Sequence, residues 1–429
     1  MLLAGEGRAD ITPPPGTVLA GFHYTPGKER VVAGVRQAAQ VRALALRVGE
    51  ATAFLISLEL CAVSREFASR LRKRIQAEFG LPGAFVRVCA THTHSMPTLR
   101  PFLQWGDVSE SYERDVESRA VEAARAALTD LSDADCYVGR QSVRGGNFNR
   151  TTDTWRTDDA FTNDSTDAER WLDTLLQAVY FQRASDKKPI VWYHFCAHPV
   201  CFGDADAGPD WPGIVARRVL AADGIEPGYL QGHIGDVNPG DGTPWIGDPE
   251  ETVAAVAPAV HHAMGHGDLV LVDDMKFAET EVRLDYDLER LQNDLGTYRQ
   301  DPEQCSGGVW VDAGFANAWF EIVSGWPDSE AALHVPVSAL RLGSLALLFH
   351  PAELYSYYGL AIRTGSPFPH TIAIGYCDDF AGYLTDPTAY EQNEYAAVVV
   401  PKILTLPPYK RETARSFTQR CVELLRSLT

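Results

Sequence analysis

Apolar residues in this chain fall into two patterns: unbroken runs, which mark buried strands, and a four-residue rhythm, which marks helices burying one face. "TAFLISLELCAV" (52 to 63) predicts a strand. Ser64 then stands as a helix N-cap, Phe67, Leu71, Ile75 and Phe79 share one helical face, and Gly80 and Pro82 end it. "FVRVC" (85 to 89) predicts the next buried strand, and "SYERDVESRAVEAARAALTD" (111 to 130) a helix with a solvated Arg/Glu face. "PIVWYHFCAHP" (189 to 199) reads as a strand, and "DWPGIVARRVLAA" (210 to 222) as a helix with Asp210 as cap and Pro212 in its first turn. "GYLQGHIGDVNPG" (228 to 240) is a strand entering a glycine-rich loop. "GDPEETVAAVAPAVHHAM" (247 to 264) opens as a strong helix that Pro258 should kink or shorten. "SLALLFHPAELYSYYGLAIR" (344 to 363) predicts strand, tight turn and helix, and "HTIAIGYCDDFAGYL" (370 to 384) a strand running into a loop.

This alternation predicts an α/β fold. The least regular stretch is roughly 285 to 335, where Trp310, Trp319 and Trp326 sit with Tyr298 and Phe320. It reads as a small inserted subdomain that supplies one wall of a site, with a covering lid as the alternative. The 429 residues suffice for two or three domains, yet no repeat, low-complexity tract or linker divides them.

Composition narrows the partners. With 38 basic and 57 acidic residues the net charge is −19, which argues against nucleic acid or an anionic membrane surface. No window of about 18 apolar residues predicts a membrane span. "MLLAGEGRADITPPPG" lacks the basic and apolar regions of an export signal, so the expected location is cytoplasmic and the expected partner a small-molecule substrate. The eight cysteines are scattered through apolar runs without a C-x-x-C pair and read as reduced packing residues.

Polar residues gather at four strand ends. "THTHS" carries His92 and His94; "CAHPVCFGDADAGPD" carries His198, with His194 before it; "GHIGDVNPG" carries His233, Asp236 and Asn238; "HPAELY" carries His350 and Glu353. Tyr383 follows in the loop "GYLT". Residues two apart on a strand share a face, so His92 and His94 should project together. Ligands of α/β folds bind beyond strand carboxyl ends, and two or three histidines with one carboxylate form a catalytic zinc set. Each histidine taken singly is equally well a core or surface residue, and distant His/Glu sets have no diagnostic spacing.

At these residues the chain resembles the neutral/alkaline (non-lysosomal) ceramidase family, in its N-terminal catalytic domain. The ordered motifs are "DITPPPG", "THTHS", "NR" at 149 to 150, "HP" at 198 to 199, "GDVNP", "PAE" with "GLAIR", and "GYLTDPTAYEQNEY". The resemblance implies one large metallohydrolase domain over 1 to 429, of mixed β-sheets covered by helices, and a zinc-dependent amidase. It implies Zn2+ on His92, His198, Glu353 and Tyr383, with His94 and Arg150 at the reacting carbonyl. Asp236 is then either a proton or ligand-orienting group or the closure of its glycine loop. Asp210 is either a substrate contact or a plain helix cap, and Tyr395 is a substrate contact.

The chain departs from the family at Asn238, where ceramidases have the serine of "GDVSP". An amide side chain donates a hydrogen bond but is no nucleophile, so hydrolysis through metal and water is expected instead. Ceramidases also carry a further C-terminal β-domain, whereas this sequence closes on a helix, "RSFTQRCVELLRSLT". Amide hydrolysis is therefore a firmer expectation than a lipid substrate. The alternatives are cleavage of an ester, lactone or glycosidic bond in a polar substrate, favoured by Asp204, Asp206 and Asp210 and the tryptophans, or a silent binding protein. A structural zinc site would call for clustered cysteines.

Overall fold

The computed structural model describes residues 1–184, 186–305 and 311–429. The apolar runs become two β-sheets. The larger has nine strands. They are β1 (Leu2–Asp10), β2 (Gln40–Val48), β3 (Ala51–Leu58), β4 (Phe85–Ala90), β5 (Ser132–Ser142), β6 (Leu175–Arg183), β7 (Ile190–Phe195), β8 (Gly228–Gln231) and β9 (Asp268–Val270). Their order is β8-β7-β6-β5-β1-β2-β3-β4, with β9 on β5. The smaller sheet has the order β10-β11-β12-β14. Its strands are β10 (Met275–Asp285), β11 (Ala332–Leu342), β12 (Leu345–Phe349) and β14 (His370–Ile374), while β13 (Ala352–Leu354) pairs separately with β15 (Gly382–Leu384).

Alternation along the strands explains the layering. Leu44 and Leu46 of β2 join Leu340, Leu342 and Leu347 of the second sheet in one core, so the two sheets face each other. The opposite parity, Val41, Ala43 and Ala45, packs under helices. Those helices are α1 (Arg65–Glu78) and α2 (Glu110–Thr129), while α3 (Trp211–Asp223) and α4 (Pro249–Gly265) cover the β6–β8 end. Gly5 and Gly7 of β1 let α2 lie close, because a Cβ at either would collide with the carbonyl oxygens of Ala127 and Ala123. The outer face of the second sheet is covered by a helix at Thr413–Arg426, through Phe417, Cys421 and Leu425. The fold is α/β, with mixed sheets covered by helices, as the alternation predicts.

Local signals held at the helix starts. Ser64 Oγ accepts from the Phe67 amide at 3.2 Å, and Asp248 accepts from the amides of Glu250 and Glu251. Two expectations need correction. Pro258 does not shorten α4, which continues to Gly265. Pro258 and Ala254, whose carbonyl loses its intrahelical partner, both lie on the exposed face, so that carbonyl is not buried without a donor. The stretch 285 to 335 is largely helical: α5 (Leu288–Gln300), α6 (Pro302–Cys305) and α7 (Ala313–Val323) enclose Leu291, Leu295, Trp319 and Val323. Its period was masked by polar residues on the outer faces. Trp310 lies outside the described residues. Among the described residues no helix is long and apolar enough to cross a membrane.

Candidate metal centre

The carboxyl ends of parallel strands from both sheets meet at one place. β4 runs beside β3, β7 beside β8, and β12 beside β14, all parallel. Backbone bonds stitch the ends together: Ala90 N–H to the Tyr376 carbonyl at 3.0 Å, Gly375 N–H to Gln231 at 3.0 Å, and His94 N–H to Pro199 at 3.0 Å. His92 follows β4, His198 follows β7, and Glu353 and Tyr383 are direct register partners in the short β13–β15 ladder. Local turns of chain thus bring together residues that are up to 291 positions apart in sequence (92 and 383).

His92 and His94 do not share the face of a strand as expected, because β4 ends at Ala90 and His92 has φ 64°. This left-handed backbone is uncommon for histidine. It is held by the His92 N–H bond to the Leu60 carbonyl at 2.9 Å. The rings still meet, with Nε2 atoms 3.3 Å apart and planes at 82°.

The donor set fits a metal ion. His92 Nδ1 lies 2.8 Å from the Cys61 carbonyl, and His198 Nδ1 lies 3.0 and 3.1 Å from the carbonyls of Ile234 and Val237. A carbonyl only accepts, so both Nδ1 atoms carry hydrogen and both Nε2 atoms present lone pairs. Those lone pairs point at a carboxylate: Glu353 Oε1 is 3.5 Å from His92 Nε2 and 3.0 Å from His198 Nε2. All three residues are buried, and His198 Nε2 and Glu353 Oε1 have no hydrogen-bond partner. The three ligand atoms lie within 4.8 Å of one another. Three acceptors facing one another in a dry site repel unless a cation sits among them. Without a metal a proton takes that place: burial pushes His92 down, but the adjacent Glu353 carboxylate outweighs it and lifts its pKa to about 10. Burial raises Glu353, yet the imidazoles hold it well below its usual range.

Around this trio lies a second set of groups. Arg150 is pinned by three bonds: Nη2 donates to Tyr383 Oη at 2.6 Å and to the Gly235 carbonyl at 2.9 Å, and Nη1 donates to Asn238 Oδ1 at 3.3 Å. Burial pushes the Tyr383 phenol well above its ordinary pKa, against the pull of Arg150, so it stays a hydroxyl beside Glu353. Asn238 also donates to the Trp245 carbonyl at 2.6 Å and does not line the cavity. It positions Arg150. Asp236 is fully engaged in structure: Oδ1 accepts from the Ser356 amide and hydroxyl at 2.8 Å, and Oδ2 accepts from Asn149 at 2.9 Å.

A cavity of about 590 Å³ opens beside these groups. His94, Arg150, Tyr355, Tyr383 and Tyr395 line it, with Trp105 and Trp245. Asp210 does not. Its carboxylate caps α3 by accepting from the Trp211 amide at 2.6 Å, and burial raises its pKa to about 6. Asp204 and Asp206 also lie outside the cavity, Asp204 pairing with Arg36 at 2.5 Å, so the acidic cluster offers no sugar site there. The 285 to 335 stretch backs one wall: Asp312 bonds His23 at 3.2 Å, and Phe315 packs on His23 and Trp105.

Residues 2–207 match the family model described as neutral/alkaline non-lysosomal ceramidase, N-terminal. That match covers 206 of the 429 residues, a little under half of the chain. Two solved structures share the fold across 100% of this chain. One is the neutral ceramidase from Pseudomonas aeruginosa, at TM-score 0.73 and 17% identity, with 74% of that chain covered. The other is a ceramidase complexed with C2, at TM-score 0.77 and 18% identity, with 75% covered. No curated protein matches in sequence.

The candidate site also draws on residues that carry no signal in the sequence. Tyr376, at φ 59°, stacks on His92 at 4.3 Å, and the Cys61 carbonyl fixes the His92 tautomer. "GYCDD" and "ELCAV" carry no motif for either role. Three histidines noted at strand ends go elsewhere. His233 lies 2.8 Å from Asp173, which Arg363 grips at 2.6 and 3.0 Å. His194 bonds the Ala373 carbonyl, and burial lowers both His194 and His350 to about 3. All eight cysteines are free and buried.

Proposed function

We propose that this chain hydrolyses the C–N bond of an amide at a zinc ion held by His92, His198 and Glu353, with the Tyr383 hydroxyl as a fourth contact. The observation that carries the reading is the set of three buried ligand atoms within 4.8 Å of one another, two of which, His198 Nε2 and Glu353 Oε1, have no hydrogen-bond partner. Two imidazoles and a carboxylate suit zinc with one position left for solvent. When bound, the ion supplies a Lewis acid for the carbonyl and lowers the pKa of water towards neutrality.

The chain's own groups do the rest. Arg150, clamped by Asn238, Gly235 and Tyr383, presents a fixed guanidinium to the cavity and would hold the developing oxyanion, a contribution of about 3 kcal/mol. His94 lines the cavity beside His92, and its Nδ1 has no partner. From there it would pass a proton to the departing nitrogen. Tyr395 and Trp105 form the face against which the substrate lies and keep water out. Asn238, standing where the family has serine, orients Arg150 and supplies no nucleophile.

The test is elemental analysis of protein purified without chelator, followed by chromogenic amides, esters and glycosides. One equivalent of zinc, with amide cleavage lost to a chelator and restored by zinc, is the expected result. A site that neither retains nor takes up metal overturns the centre. Cleavage of esters or glycosides with no amide turned over overturns the bond assignment alone.

A further inference from the structure

A second, smaller chamber opens directly behind the candidate metal ligands. Its volume is about 50 Å³, and it shares His94, Trp105, Tyr383 and Tyr395 with the larger cavity. His92, His94 and Glu353 form its mouth. Its far wall is apolar and buried: Phe102, Trp105, Phe380, Val400, Ile403 and Leu404. The wall is braced by backbone. The Leu103 amide donates to the Ile403 carbonyl at 2.9 Å, and Gly382, at φ 78°, lies so close to Leu404 that a Cβ there would collide with it.

The two chambers differ in chemistry as well as size. His23, Arg150, Thr151, Gln392, Asn393 and Glu394 give the large cavity its hydrogen-bonding groups. Glu394 is already paired with Arg170 and accepts from the Tyr355 hydroxyl at 2.8 Å, so it offers an oriented acceptor rather than a bare charge. An amide with its carbonyl at the ligand cluster must send its acyl half one way and its amine half the other. The apolar end belongs against the apolar far wall of the smaller chamber, since an unpaired polar group there would lose its hydration uncompensated. Size then sets the length. An apolar cavity of about 150 Å³ accommodates benzene, so a chamber a third as large takes roughly two carbons on the same scale.

Resting on the amide reading above, we propose that this chamber is the acyl subsite and that it selects N-acetyl and N-propionyl amides of polar amines over long-chain lipid amides. Selection by an apolar pocket is steep, about 10- to 200-fold for one methylene.

The test is hydrolysis of N-acetyl, N-propionyl, N-butanoyl, N-octanoyl and N-palmitoyl amides of p-nitroaniline, ethanolamine and glucosamine by the zinc-loaded chain. The kcat/KM for acetyl and propionyl should exceed that for octanoyl and palmitoyl at least 100-fold on a given amine. Leu404→Ala and Val400→Ala, made separately, should each move the optimum to four carbons or more. Calorimetry gives a readout independent of turnover: acetohydroxamate should bind at least tenfold more tightly than octanohydroxamate, and Leu404→Ala should reverse the order. Equal or better cleavage of the palmitoyl amides overturns the acyl assignment and leaves the amide reading standing. An unshifted optimum in both folded variants overturns the location of the subsite. Silence on every amide, with metal bound, overturns the amide reading and this inference with it.

Discussion

Two buried clusters in this chain draw on the same kinds of side chain and differ in how their charge is closed. His92, His198 and Glu353 form one; His194, Cys196, His233 and Asp173 form the other, and each includes a trio with metal-ligand spacing. In the second cluster Arg363 grips Asp173 with two nitrogens, and His233 stands on the same carboxylate. Burial would raise Asp173, but Arg363 and His233 hold it well below its usual range. No cavity reaches it among those described. In the first cluster no guanidinium reaches Glu353 Oε1, and a cavity opens beside His94. Arg150 stands one residue further off, on the Tyr383 hydroxyl. A carboxylate closed by arginine is a structural brace. One that faces imidazole nitrogens with no guanidinium on it is a site for a cation.

The largest effect should come from removing the open cluster. His198→Ala and Glu353→Gln should each abolish both bound zinc and hydrolysis, whereas His233→Ala should retain a full equivalent of zinc by elemental analysis. Loss of metal in His233→Ala would erase the distinction. Next comes the brace: Arg363→Met leaves the buried Asp173 with His233 as its remaining partner, at a cost of about 3 kcal/mol in chemical denaturation. The double variant Asp173→Asn with Arg363→Met should recover part of it.

Arg150→Ala should lower kcat by about 10²–10³-fold with zinc content unchanged, since it removes an oxyanion donor and no ligand. Arg150→Lys should rescue little, because a point charge cannot reproduce three aimed bonds. Asn238→Ala should cost less, about 10- to 100-fold, as expected for a group that acts through another.

The smallest effect lies at Asp210. Its folded pKa is raised to about 6 by burial, so between its unfolded value and pH 6 the folded state holds the extra proton. Stability then falls as pH rises through that window. Asp210→Asn, which keeps a capping oxygen, should gain roughly 1–2 kcal/mol at pH 8 and none at pH 4. Equal stability change at both pH values would contradict the raised pKa.

Much of this arrangement was readable before any coordinates. The apolar runs at 52 to 63, 85 to 89 and 189 to 199 marked strands because a buried strand excludes polar residues on both faces. Ser64 and Asp248 marked helix starts because unpaired amides need an acceptor within reach. "THTHS", "AHP", "PAE" and "GYLT" placed histidines, a carboxylate and a phenol at strand ends. What the residues did not reveal was which histidines share a centre, since His92, His194, His198, His233 and His350 all occupy similar positions in the chain. The 285 to 335 helices were obscured because short helices with long polar faces give a weak period.

By itself, then, the order of residues determined the element types, the α/β class and the supply of metal-binding side chains, all consequences of local periodicity and local hydrogen bonding. Only the tertiary structure decided that Arg363 closes Asp173 while no guanidinium reaches Glu353, that Asn238 holds Arg150, and that Asp210 caps a helix away from the cavity. Such pairings depend on distances between segments separated by up to hundreds of residues. No local energy term in the chain encodes them; they are fixed when the two sheets pack face to face.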